Sequence, residues 1–200
     1  MGYETWFSGS YEIQPKLTPK HLAYLNAFCE TRRVNRDVMK MTHLPDPLRV
    51  AVGLPLGAEG GYYVGSVKDG ISGQRPCPSV LDSNGPPRSQ PTLWCPWIFD
   101  SDAIEGEDGK AYEFKEWLDY LISHFLEPWG YKVNGCVNWD GEDSDDFGEL
   151  WVKDNLIQAC MGSRTIPEPV WVDDEPVPEV VIEKSKGTMD WEEFDQMFRI

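Results

Sequence analysis

The sequence is short of positive charge: 18 Lys and Arg stand against 34 Asp and Glu, a formal net charge of −16. A surface of that sign repels phosphate, which argues against sequence-independent binding to a nucleic-acid backbone. Long apolar runs are absent, so no segment has the length and character of a bilayer-spanning helix. Met1 to Phe7 carries no basic segment followed by an apolar stretch, and no secretory signal is expected. The five cysteines, Cys29, Cys77, Cys95, Cys136 and Cys160, include no C-x-x-C pair, which excludes the common zinc-knuckle and thioredoxin patterns. Reduced thiols in a cytoplasmic protein are the expectation. The stretch Gly57–Gly61 lacks both G-x-G-x-x-G and a following Lys-Ser/Thr, so it is no phosphate cradle. Neither G-x-S-x-G, H-E-x-x-H nor a kinase-type set occurs. With His21, His43 and His124 the only histidines, a Cys–His nucleophile has few partners to draw on. These absences lean away from an enzyme and give no reason to expect a metal or other cofactor.

What remains is enough for a core: 40% of residues are hydrophobic and nine are Trp, which excludes a fully disordered chain. Residues 3–14, aromatic and β-branched, read as a first strand with Gly9 as a possible bulge site. Thr18-Pro19 predicts a helix start, with Thr as cap and Pro in the first turn. The apolar spacing of Leu22, Leu25, Phe28 and Cys29 carries that helix to about Met41, where Leu44-Pro45-Asp46-Pro47 stops it. Residues 45–91, rich in Gly and Pro, read as a long connection with a short strand at Tyr62–Val64. Leu93–Phe99 is a strand candidate that Pro96 places at an edge, and Asp108-Gly109 signals a hairpin turn.

The clearest element is a helix over Tyr112–Glu127, where Phe114, Trp117, Leu118, Leu121, Ile122 and Phe125 make one apolar stripe. Three strands follow, around 131–139, 149–153 and 156–160. This order predicts an α+β fold: a mostly antiparallel sheet with two helices packed on one face, plus an acidic Pro-rich C-terminal tail. The expected boundaries are a globular domain over 1–162, an acidic Pro-rich linker over 163–187, and a short amphipathic helix over 188–200. Residues 165–200 hold three basic and ten acidic residues, a composition that resists packing.

Three groups of residues are candidate sites. Asp140, Glu142, Asp143, Asp145 and Asp146, with Glu149, crowd one loop. An EF-hand frame starting at Asp143 would find Gly148 and Asp154 in place, but Phe147 falls on a ligand position, so no tight calcium site is expected. The loop is then either a solvated hairpin or an acidic surface for a basic protein partner. Arg32, Arg36 and Lys40 recur every four residues beside Arg33; on one helix they would form a single stripe. That stripe either pairs with the protein's own acids or binds a phosphate or carboxylate. In the tail, Trp191, Phe194 and Phe198 share a helical face, which docks on a partner or folds back on the domain.

Several stretches resemble a family of small acidic proteins of bacteria and phages or prophages whose activity is uncharacterised. They are Leu17–His21, Thr31-Arg32-Arg33, Leu44–Pro47, Leu93-Trp94-Cys95, Trp139–Asp146 and Val152–Asn155. The resemblance implies a bacterial or viral cytoplasmic setting and transfers no site. Together with the charge, it leads to the expectation of a non-enzymatic interaction protein of phage or mobile-element type. Such a protein would bind, and inhibit, a basic nucleic-acid-binding host protein. The alternatives are a small enzyme or nucleotide binder using Arg32, Arg33 and Arg36, and a virion or assembly component. Partner identity and oligomeric state are not encoded in any motif.

Overall fold

The computed structural model describes residues 2–65 and 77–162. Its elements are strands β1 (Thr5–Gln14), β2 (Asn35–Arg36), β3 (Val80–Asp82), β4 (Trp97–Phe99), β5 (Ala103–Gly106), β6 (Lys132–Gly141), β7 (Phe147–Lys153) and β8 (Leu156–Met161). The helices are α1 (Pro19–Glu30), α2 (Val38–Met41), α3 (Pro47–Ala51) and α4 (Phe114–Leu121), the last running on into a π-helical turn at Ile122–Leu126. Six strands form one antiparallel sheet in the order β4-β5-β1-β6-β7-β8, and β2 pairs with β3 apart from it. The protein is therefore α+β, as the order of sequence signals predicts.

The alternation along each strand decides which side packs. Tyr11 and Ile13 of β1 stand opposite Gly135 and Val133 of β6, while Val137 and Leu150 are paired across β6 and β7. These apolar side chains are buried on one face with Tyr24, Leu25 and Phe28 of α1 and Trp117, Leu118 and Leu121 of α4. The rings interlock edge to face: Phe28 meets Trp117 at 6.1 Å and Phe125 at 4.9 Å between centroids, the geometry that aromatic quadrupoles favour. Gly9 is required where β1 bends over β6. Its φ is 92°, and a Cβ there would stand 2.7 Å from the Cys136 carbonyl oxygen.

The first helix starts as predicted, with the Thr18 hydroxyl accepting from the His21 amide. It ends about eleven residues earlier than periodicity suggests. Thr31 turns extended and its hydroxyl caps the Ala27 carbonyl. The chain beyond is drawn into pairing with a distant segment, Arg33 N–H donating to Leu93 and Asn35 N–H to Gly85. Pro47 opens α3 instead of merely ending a helix. Tyr62–Val64 is not a strand, and β2 and β3 form a pair that has no local signal. The turn after β4 lies at Asp100–Asp102, so β5 occupies residues read as connection, and Gly109 instead bridges to Thr5. β4 is an edge strand, as Pro96 implies. The Asp154-Asn155 turn joins β7 and β8 with φ of 48° and 73°, values suited to a tight hairpin. The tail boundaries at 163–187 and 188–200 lie outside the described residues.

Candidate functional site

One end of the sheet collects carboxylates from three separate segments. The β6–β7 hairpin carries Glu142, Asp143 and Asp145, all exposed. The loop after β5 carries Glu107 and Asp108, also exposed. Glu4 joins them, because the backbone of β1 is clasped between the two loops. Thr5 exchanges hydrogen bonds with Gly109 (2.7 and 2.9 Å), and Glu142 N–H donates to the Glu4 carbonyl at 3.1 Å. Among the described residues, none of these six carboxylates is in an ion pair. Glu4, Glu107 and Asp108 have no sequence signature that would have grouped them with the hairpin. Only their register opposite Thr5 does so.

The members of the hairpin differ in role. Asp146 is half-buried, and its carboxylate accepts from the Tyr3 hydroxyl at 2.5 Å and from the Trp139 indole N–H at 3.2 Å. That makes Asp146 the anchor of the loop, not part of its displayed charge. The bond to Asp146 holds the Tyr3 phenol above its ordinary pKa. Asp140 lies half-buried on the sheet face opposite the helices, in register with Phe147. Phe147 and Gly148 are strand residues of β7. A loop that enters a strand at that point cannot wrap a cation as an EF-hand does. Among the described residues, no group of three or more potential ligands could hold a metal ion.

The arginines depart from the expected stripe. With α1 ended at Glu30, Arg32, Arg33 and Arg36 stand on extended chain, and all three are buried. Arg33 is 2% exposed. Its guanidinium donates to Gln90 Oε1 (3.1 Å), the Tyr63 carbonyl (3.0 Å) and the Gly61 carbonyl (2.6 Å). It also lies 4.1 Å over the Phe28 ring. Burial lowers its pKa, because desolvation disfavours the charged form. Arg36 donates to Ser79 Oγ at 3.0 Å and covers the Tyr63 ring, while Arg32 reaches the Ser83 carbonyl. Neutral carbonyls and hydroxyls, not acids, satisfy Arg33 and Arg36 among the described residues. These side chains fasten the irregular segments around 60–64 and 79–90 to the domain, which corrects the expectation of an exposed anion-binding surface. Lys40 alone stays exposed, 3.3 Å from Asp37.

Among the described residues, two cavities bear on the question of a site. A solvent-open groove of about 650 Å³ lies between α4 and the β7–β8 hairpin, bordered by Arg88, Tyr120 and His124 over Leu150 and Ile157. His124 stacks on Tyr120 at 4.0 Å, and its Nδ1 meets the Ser123 hydroxyl and the Tyr120 carbonyl, not a thiol. The second, about 490 Å³, is lined by Cys29, Cys95, Trp94 and Lys110. Burial pushes the Cys29 thiol well up in pKa, as does its hydrogen bond with Cys95, so neither chemistry nor position suits a thiolate nucleophile. No described helix is long and apolar enough to cross a membrane. Trp191, Phe194 and Phe198 lie outside the described residues. No family model, curated protein or solved structure matches the chain.

Proposed function

We propose that this is a non-enzymatic interaction protein whose carboxylate-rich sheet end docks onto a basic surface of a protein partner. The observation that supports it is the convergence of Glu4, Glu107, Asp108, Glu142, Asp143 and Asp145 at one end, none of them in an ion pair among the described residues. Holding like charges together is unfavourable to the fold, and the backbone clasp at Thr5 keeps them there. Opposite potentials accelerate encounter and select against acidic competitors. In a phage or mobile-element setting, a target of this kind is a nucleic-acid-binding protein of the host. Occupying its basic groove would inhibit it by displacing nucleic acid. The nucleotide-binding alternative loses its main support, because Arg33 and Arg36 are spent on internal acceptors.

The test is co-purification from producing cells, comparing the natural chain with Glu142→Gln/Asp143→Asn/Asp145→Asn. The natural chain should retain a basic protein that elutes between low and high salt, since exposed charge pairs are screened over about 8 Å at physiological ionic strength. The triple variant should lose it. Retention that is equal for both chains, or indifferent to salt, would overturn the proposal.

A further inference from the structure

The two edges of the sheet are treated differently. At β4 a single side chain occupies the backbone of Phe99: Asn26 Nδ2 donates to the Phe99 carbonyl at 3.1 Å, and Phe99 N–H donates to Asn26 Oδ1 at 3.1 Å. Pro96, just before that strand, offers no N–H at all. The other edge is β8, and among the described residues no strand lies beyond it. Its sequence, Leu156-Ile157-Gln158-Ala159-Cys160-Met161, holds neither the charge nor the proline that blunts an exposed edge.

Hydrogen-bond parity fixes which groups β8 presents. The two-residue turn at Asp154-Asn155 makes Lys153–Leu156 the first bonded pair, and Gly162 N–H donating to the Phe147 carbonyl at 2.7 Å keeps the same phase at the far end. The N–H and C=O groups of Ile157 and Ala159 therefore point away from β7. Their side chains stand opposite Val152 and Leu150 on the helix-covered face, where both are half-buried. There they form the floor of the groove of about 650 Å³, with α4 as its facing wall. A strand added to this edge would lie ~4.8 Å beyond β8 and turn every second side chain toward the groove.

The walls decide which side chains suit it. Glu116 and Asp119 of α4 are exposed, and among the described residues neither is in an ion pair. The cations at the groove are engaged elsewhere, Arg88 with Glu59 at 3.4 Å and Lys115 at 5.9 Å over the Trp139 ring. An apolar floor beside an acidic wall fits Lys or Arg, whose aliphatic stem covers the floor while the head reaches the carboxylates.

We propose that the β8 edge and this groove bind an extended basic peptide of a partner protein, added as a further strand with Lys or Arg at alternate positions. Main-chain bonds to Ile157 and Ala159 supply affinity, and the alternate side chains supply selectivity. This site is separate from the carboxylate-rich sheet end and does not depend on it.

The probe is a short fluorescein-labelled peptide alternating Arg and Val, with a Glu–Val peptide as control. Anisotropy measures its binding to the full chain, and amide hydrogen exchange followed by NMR locates it. The Arg peptide should bind and the Glu peptide should not. The Ile157 and Ala159 amides, fast in the free protein, should slow by roughly tenfold or more. Glu116→Lys/Asp119→Lys should weaken binding roughly tenfold with Tm unchanged. Glu142→Gln/Asp143→Asn/Asp145→Asn should keep both binding and protection, which separates this site from the sheet end. Binding that leaves exchange at Ile157 and Ala159 unaltered, or that only the Glu142 variant loses, would be general attraction to an acidic surface and would overturn the proposal. Amides already protected in the free protein would overturn it too: protection that fades on dilution means a second copy on the edge, and protection that persists means the protein's own chain covers it.

Discussion

Truncating Arg33 is the perturbation whose effect the structure fixes most fully. In Arg33→Ala three donors vanish from a site that is 2% exposed. The Gly61 carbonyl keeps a partner, because Gln90 Nε2 also donates to it. The Tyr63 carbonyl and Gln90 Oε1 each lose the charged donor that Arg33 supplies. Each such lost bond to a charged group costs about 1.5–3 kcal/mol. The lost stacking over Phe28 adds about 1 kcal/mol, and the emptied volume adds a cavity term. Against these, the variant no longer desolvates a guanidinium that has no carboxylate partner among the described residues, which offsets several kcal/mol. The net loss should be about 3 kcal/mol, or roughly 6–12 °C in Tm for a domain of this size. Urea unfolding followed by Trp fluorescence measures it directly, and the m-value should not change. Arg33→Met restores volume but not donors, so it should recover less than half the loss. A loss below about 1 kcal/mol for Arg33→Ala, or full rescue by Met, would refute the claim that these hydrogen bonds hold the 60–64 and 79–90 segments in place.

Two contrasts test the rest. Neutralising Glu142, Asp143 and Asp145 should leave stability within about 0.5 kcal/mol, whereas Asp146→Ala should cost about 1–3 kcal/mol by freeing the Tyr3 hydroxyl and the Trp139 indole; equal effects in thermal unfolding would show the two groups are not distinct. Cys77 should be alkylated before the other described thiols: burial alone would raise its pKa, but the hydrogen bonds of Ser79 and the charge of Arg36 outweigh it and lower the value, so Arg36→Met should slow labelling roughly threefold, and a Cys77 no faster than Cys136 in quantitative peptide mapping would contradict this.

The sequence and the structure agree where signals are local. Thr18-Pro19 caps a helix, the Phe114–Phe125 stripe makes α4 and its π turn, and the hairpins β6–β7–β8 follow from alternation and from Asp154-Asn155. They part where a remote segment decides. Arg32-Arg33 continues a helical spacing perfectly well, yet carbonyls of Gly61, Tyr63 and Ser83 are better partners than another helical turn. The pairs β2–β3 and β4–β5 are too short to show a period. The acidic end was half legible: the Asp140–Asp146 limb is dense in sequence, but Glu4, Glu107 and Asp108 join it only through the register at Thr5.

The position of β1 in the sheet has a consequence in time. The first strand to be made is central, with β5 on one side and β6 on the other. Its long partner, β6, matches it from Thr5–Gly141 to Gln14–Lys132, so on the order of a hundred residues separate the two halves of the ladder. At roughly 5–20 residues per second on the ribosome, Tyr11 and Ile13 wait many seconds for Val133 and Val137 to emerge. Until then that face has Trp97, Phe99 and Ile104 of the β4–β5 hairpin, but not β6, to close upon. Closure of the β1–β6 ladder is therefore a late step, and it brings together contacts of long sequence separation.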